Sequence, residues 1–566
     1  MKRFLVRLLA GIGVVALLLV ALAAAGYWWL TGQLEAHRAL PDRIVIEADF
    51  RDSLEEVASS SPLATLLEAR LTISEIVLAL DRASRDPRVT GLVARLDASG
   101  HGLAAAQELR DAIGRFRASG RFALGFADTF GELGAGNEGY YLATAFDAIH
   151  LQPVGLVGLT GLMAELPFAG ALLDRLGVEL SVSQREQYKT AMDSFTRTGL
   201  TPANREMLES LLDSLDAQLV AGIAEGRRLA PERVAALIDG GPYTDSEALS
   251  AGLVDRLGYW DEVLQAARGR GGDTVALRRY ARRAAELARG GTAVAFVRAA
   301  GTIRSGGRGI GSGIMADPLA EALAEAIEAD EVKAILLRLD SPGGSPVASE
   351  TIARQIRRAG AANKPVIVSM GNAAASGGYW IAMEAGTIVA QPATFTGSIG
   401  VIAGKPVLAG LWDMLGVEWA QLPRARNADM WSLNTPYSDY GRARLEHILD
   451  ALYGSFKAGV ARGRNLPPEQ VAALAQGRVW SGAQAKELGL VDRLGGLFEA
   501  QAAVREALRL APDAPLELRA YPQPRTPLRE ALELFTDGID ALAQIRALVA
   551  ALAPAGTAEM PLVRVR

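Results

Sequence analysis

The sequence predicts an α/β protein made of two tandem copies of one domain behind an N-terminal transmembrane helix. Three observations predict it. Short segments recur at a near-constant spacing, apolar strand-length runs alternate with helical patterns inside each recurrence, and the positions from Leu8 to Leu30 carry no charge. A chain of 566 residues exceeds what one core organises and implies two or more domains. With 59 basic against 64 acidic residues, the net charge of -5 leaves no footprint for nucleic acid. Cysteine is absent, which excludes disulfides, thiolate metal sites and a cysteine nucleophile. Nothing in the sequence calls for a cofactor.

Residues 1–42 form the first unit. As a helix, Leu8 to Leu30 would be about 34 Å long at about 1.5 Å per residue, enough for a bilayer core of about 30 Å. Lys2, Arg3 and Arg7 precede it, so the N-terminus is expected in the cytoplasm and the rest of the chain outside. Ala23-Ala24-Ala25 could instead be the cleavage site of a signal peptide, but the apolar stretch is long for one, and Tyr27, Trp28 and Trp29 suit an interfacial anchor.

Beyond the anchor the chain is written twice. Val254-Asp255-Arg256-Leu257-Gly258 returns as Val491-Asp492-Arg493-Leu494-Gly495, 237 positions on, and Arg95-Leu96-Asp97 returns as Arg338-Leu339-Asp340, 243 positions on. Between them, at 239, Gly139-Tyr140-Tyr141 matches Gly378-Tyr379-Trp380 and Leu176-Gly177-Val178-Glu179 matches Leu415-Gly416-Val417-Glu418. The copies fall at 43–290, closing with an arginine-rich bridging helix near Leu277 to Arg289, and at 291–510. Each opens on a predicted strand, Arg43 to Ala48 or Ala293 to Val297, and continues with helical patterns and strands such as Gly91 to Leu96 and Ala334 to Leu339. That alternation implies a largely parallel sheet covered by helices. Residues 511–566 read as a proline-containing linker and an amphipathic helix, with Leu528, Leu532, Phe535, Ile539, Leu542, Ile545, Val549 and Leu552 spaced by threes and fours.

The stretch from Lys364 to Trp380 carries the strongest chemical signal. Pro365 to Met370 has the composition of a buried strand, and it breaks into small residues before a helical pattern resumes. Ser376 therefore lies at a strand-to-helix turn, where backbone N–H groups and the helix dipole favour an anion and Gly377 and Gly378 admit a substrate to the backbone. Such a serine is a candidate nucleophile, although a tightly packed turn would use the same residues.

A hydroxyl needs a base. Of the histidines, His37 lies beside the anchor and His447 in a charged, helix-like segment, while His101 and His150 stay open as bases with nothing to tie either to a carboxylate partner. The repeat points elsewhere. At the 239 spacing Ser376 corresponds to Asn137, and Lys189 corresponds to Ala428, so each copy lacks what the other keeps. A lysine acts as a base only when neutral, which at pH 7 and an ordinary pKa of about 10.4 holds for about one molecule in 2,500. Burial at a junction between the copies is expected to lower that pKa. Oxyanion donors are expected from Gly343 or Gly344 in Ser341-Pro342-Gly343-Gly344-Ser345, at a strand's carboxyl end, together with Gly377. The first copy has Ala98-Ser99-Gly100-His101-Gly102 there, a degraded version. The GxGxxG-like pattern within Gly306 to Gly313 lacks the acidic residue of a dinucleotide fingerprint and reads as a loop.

Leu337 to Ser345, Lys364 to Trp380 and Thr396-Gly397-Ser398-Ile399-Gly400 resemble the signal peptide peptidase family (SppA, protease IV), and the anchor and tandem repeat resemble its long form. The resemblance implies tandem Clp protease/crotonase-like domains, a Ser376 nucleophile and a Lys189 general base; a nearby hydroxyl, Thr190 or Ser398, is expected to orient the lysine. It also implies a homotetramer on the periplasmic side of the inner membrane, acting on signal peptides and other hydrophobic peptides beside membrane lipid. Two other classes are compatible with the residues alone: acyl-CoA chemistry on a crotonase-like fold, and a membrane-tethered scaffold without catalysis.

Overall fold

The computed structural model describes residues 40–51, 54–57, 70–97, 100–287, 290–306 and 313–522. The apolar run from Leu8 to Leu30 and the amphipathic stretch from Leu528 to Leu552 lie outside the described residues. Among the described residues no helix is long and apolar enough to cross a membrane.

Apolar runs with helices on their faces become two sheets that share a six-strand parallel order, to which the second adds Phe395–Gly397 and, antiparallel to it, Val479–Ser481. The first runs Arg256–Leu257, Ala148–Leu151, Phe122–Ala127, Val89–Leu96, Ile44–Asp49, Asp273–Ala276. The second runs Arg493–Leu494, Thr387–Ala390, Val366–Ala375, Ala334–Ser341, Thr292–Ala300, Leu516–Tyr521. Strands buried on both faces need no alternation, and Ala334 to Leu339 is buried throughout. The helices repeat as well: Leu103–Ala118 and Pro346–Ala361 have the same length and begin 243 positions apart. The second of these opens where a Pro-containing first turn follows Ser345, whose hydroxyl accepts the Ala348 N–H.

Two boundaries differ from the sequence reading. The strand expected to stop at Met370 continues to Ala375, because its far half gains a second partner, Phe395–Gly397. The Asp340 carboxylate takes the Ala373 N–H at 2.8 Å where the ladder with Ala334–Ser341 shifts register. The stretch expected as linker from 511 contains Leu516–Tyr521, an edge strand of the second sheet and the counterpart of Asp273–Ala276. The arginine-rich helix is Leu277–Leu287; it buries Tyr280, Ala281 and Ala284 in the first copy's core on its way to the second.

The copies share interior. Leu497, Ala500, Ala503 and Val504 of the second copy pack into the cluster built on the first sheet. Two strands then cross between copies: Glu179–Gln184 pairs antiparallel with Ile402–Val407. Beneath the junction lies a charged group with almost no exposure. Arg338, on a central strand of the second sheet, donates from Nε to Glu56 at 3.0 Å and from Nη2 to Glu108 at 2.6 Å, both carboxylates belonging to the first copy. Nη1 donates to Ser369 Oγ at 2.9 Å, and Glu108 Oε1 accepts the Leu497 N–H at 2.6 Å.

A buried ion pair gains little over an apolar replacement of the whole group, but removing one member leaves the other's charge stranded. Arg338→Met is therefore expected to destabilise the protein by about 3–5 kcal/mol in urea unfolding. An unchanged midpoint would mean that water reaches Glu56 and Glu108.

Candidate active site

Ser376 closes the strand Val366–Ala375 and precedes the short helix Gly377–Ala382. Its backbone, at φ 53 and ψ -116, is strained for a residue with a Cβ. Its N–H is held by Gly397 O at 2.9 Å. The glycines after it are steric necessities: a Cβ on Gly377 would meet Ser349 Oγ at 2.6 Å, and one on Gly378 would meet Ser341 O at 2.8 Å.

The loop Ser341 to Ser345 packs directly on this turn. Gly343, at φ 109, comes so close that a Cβ there would lie 2.8 Å from Gly377 N. Its N–H donates to Ser341 Oγ at 3.1 Å, while that hydroxyl donates to Gly301 O at 2.7 Å. The Gly343 amide, expected as an oxyanion donor, is thus engaged inside its own loop. Gly344 and Gly377 are the amides left beside the serine; a Cβ on Gly377 would be 3.0 Å from Gly344 N.

Lys189 follows the crossing strand Glu179–Gln184 and enters the second copy buried. Nζ donates to Ser376 Oγ at 2.9 Å, to Ser398 Oγ at 2.9 Å and to Ser398 O at 3.0 Å. Burial pushes its pKa down to about 8. At that value about one molecule in ten carries a neutral amine at pH 7, roughly 250 times the fraction of an exposed lysine. Gly477, at φ 80, permits the approach, since a Cβ there would stand 2.6 Å from Lys189 N. Of the two hydroxyls expected to orient the lysine, Ser398 is the one bonded to Nζ; the lysine's three bonds include none to Thr190.

The described histidines lie elsewhere. His101 is tied to Leu54 N and Phe50 O, His150 lies in the strand Ala148–Leu151 of the first sheet, and His447 is exposed on the helix Asp439–Arg464. His37 and the loop 307–312 lie outside the described residues.

The equivalent place in the first copy is closed. Asn137 Oδ1 accepts the N–H groups of Thr160 and Gly161 at 2.9 and 3.0 Å, and Nδ2 donates to Gly161 O at 2.7 Å. Glu138 stands where the second copy has Gly377, and its carboxylate lies on the amides of His101 and Gly102. Burial raises its pKa to about 7 despite those amides. Sequence reasoning passed over Glu138, although the 239 spacing that pairs Asn137 with Ser376 sets it opposite Gly377. It also passed over Ser341 as the hydroxyl that occupies the Gly343 amide, for which the sequence carries no signal.

A hydroxyl bonded to a desolvated amine, with two backbone amides beside it, has the parts needed for acyl transfer. The profile of peptidase family S49 matches residues 132–271 and 358–511, one segment in each copy. The chain is 30% identical to the chloroplastic serine protease SPPA of Arabidopsis thaliana over 487 residues, 84% of this chain and 71% of that protein. It is 33% identical to Protease 4 of Salmonella typhi over 456 residues (78% and 72%) and 31% identical to Protease 4 of Haemophilus influenzae over 455 (76% and 72%). Matched in both copies by one family and along most of its length by these proteases, the chain belongs to peptidase family S49 and is a serine peptidase of the SppA type.

Proposed function

We propose that Ser376 and Lys189 form a catalytic dyad assembled across the two copies, in a membrane-anchored endopeptidase that degrades cleaved signal peptides and other hydrophobic peptides at the periplasmic face. The observation that carries this reading is the 2.9 Å bond between Lys189 Nζ and Ser376 Oγ inside a buried junction. Neutral Lys189 accepts the serine proton as Oγ attacks the peptide carbonyl. The Gly344 and Gly377 amides receive the oxyanion, and the protonated amine returns its proton to the leaving nitrogen. Water then opens the acyl-enzyme with Lys189 again as base, while Ser398 keeps the amine aimed. Met192 and Phe195, just beyond Lys189, expose apolar surface that suits an apolar substrate. The Clp protease/crotonase-like assignment of each copy belongs to the same reading.

The anchor at Leu8 to Leu30 would hold this site beside membrane lipid, and a homotetramer is its assembled form. Support for self-association comes from what the repeat leaves unpartnered. The segments equivalent to the crossing strands, 418–423 and 163–168, form no strand and expose Met163, Trp419 and Leu422. Leu133 and Val154, 95% and 88% exposed, stand at the positions of Asn372 and Ala393. In the second copy those residues meet the first, Asn372 at Ala105 N and Ala393 at Gln107 Oε1. A second chain set head to tail would repeat that contact, and a heterologous contact of this kind can close into a ring.

Three outcomes are expected. With a fluorogenic apolar peptide, Ser376→Ala abolishes turnover and Lys189→Ala lowers kcat on the order of 10²- to 10⁴-fold. Wild-type kcat rises with pH through about 8, since the active form is the neutral amine; a flat profile from pH 6 to 9, or an active Lys189→Ala, would overturn the dyad.

The depressed lysine also has a stability consequence. The unfolded chain binds the proton that the folded chain gives up, so Lys189 weakens the fold below pH 8, and the penalty fades as pH rises toward the unfolded value near 10.4. Lys189→Met is expected to unfold at higher urea than wild type at pH 7 and to lose that advantage near pH 10.

Finally, Leu133→Asp with Val154→Asp should reduce the assembly to single chains of 59.7 kDa by light scattering. An unaltered mass would assign the contact to another face.

A further inference from the structure

Lys189 and the serine that orients it arrive from different copies, and one residue reaches both sides. Arg478 stands immediately before the strand Val479–Ser481 of the second copy. Its carbonyl accepts the Ser398 N–H at 2.8 Å, fixing the residue that binds Lys189 Nζ through both its hydroxyl and its carbonyl. Its guanidinium turns the other way. The group sits 4.5 Å from the Trp480 ring and 5.2 Å from the Tyr188 ring, and Nη1 donates to Glu206 Oε1 at 2.6 Å. The other oxygen of Glu206 accepts the Tyr188 hydroxyl at 2.8 Å.

Tyr188 is the residue before Lys189. Its N–H donates to Gln476 O at 3.2 Å, and its ring is buried with Met207 and Leu211. The segment from Gln476 to Arg478 therefore grips the lysine's neighbour by backbone and ring, reaches its hydroxyl through Glu206, and grips the lysine's acceptor by backbone. Stability alone does not account for this arrangement. The Glu206 side chain is 58% exposed, and an ion pair in that setting contributes little to folding. Its geometric effect is larger. A lysine amine hangs on a flexible four-carbon stem, and proton transfer demands that it stay within hydrogen-bond reach of Oγ.

We propose that Arg478, acting with Glu206 and Tyr188, is a positioning residue that sets the reach and burial of Lys189 at Ser376. The proposal rests on the Ser376–Lys189 dyad. Loosening Tyr188 would let the lysine backbone drift from Gly477 and admit water to the amine, with two consequences. The amine would spend less time at Oγ, and its charged form would be better solvated.

The test is the pH dependence of kcat and KM for the full chain in detergent, with an apolar fluorogenic peptide, for wild type, Arg478→Ala, Arg478→Lys, Glu206→Gln and Lys189→Ala. Arg478→Ala is expected to lower kcat on the order of 10- to 100-fold at pH 7 with KM little changed, and to move the acid limb of kcat to higher pH. Arg478→Lys, which keeps the charge opposite Glu206, recovers part of both. Glu206→Gln gives a smaller change in the same direction and decides the matter if Arg478→Ala does not fold. A wild-type kcat and acid limb in these variants would overturn the proposal. So would a rise in KM alone, which would make Arg478 a substrate contact, or a loss of kcat with the acid limb in place. An active Lys189→Ala would remove the dyad, and the positioning role with it.

Discussion

Everything at the site depends on one exchange of strands between the copies. Glu179–Gln184 leaves the first copy to pair with Ile402–Val407 of the second, and the Arg185 N–H extends the contact to Val401 O at 2.9 Å. Four residues later the chain delivers Lys189 to Ser376. The same exchange strips the amine of water, because the lysine ends in an interior rather than on a rim. Position and proton affinity therefore follow from one event in the fold. Arg185 secures it on the outside, pairing with Glu446 and Asp450 of the helix Asp439–Arg464.

Duplication let the two copies divide opposing demands. In the first copy Asn137 makes three hydrogen bonds to backbone, and Glu138 covers the His101 and Gly102 amides, the first of which corresponds to the Gly344 amide beside the serine. The second copy keeps costly features, positive φ at Ser376 and Ser398 and a buried amine from its neighbour. Such features persist only when the surroundings over-determine them. Here the surroundings are the strand pair Val366–Ala375 and Phe395–Gly397, the loop locked by Ser341 Oγ, and the shared interior built on Arg338, Glu56 and Glu108. Divergence of the repeated Arg-Leu-Asp shows the same division: Arg338 is buried between copies, whereas Arg95 meets Asp128 near the surface of the first.

The amino-acid order by itself determined the repeat, the alternation of strand and helix, and the complementary losses of Ser376 against Asn137 and Lys189 against Ala428. These are legible because they are patterns of spacing, and spacing along a chain survives folding as strand order and element length. It could not determine that the Gly343 amide is taken by Ser341 Oγ, that Ser398 rather than Thr190 meets the lysine, or that Leu516–Tyr521 joins the sheet. Nor did it reveal Arg338 between two carboxylates more than 200 positions away. Those outcomes belong to tertiary structure for one reason. A polar group's partner is whichever group reaches it once water is gone, and that is decided in three dimensions, where residues far apart in sequence compete for the same donor or acceptor.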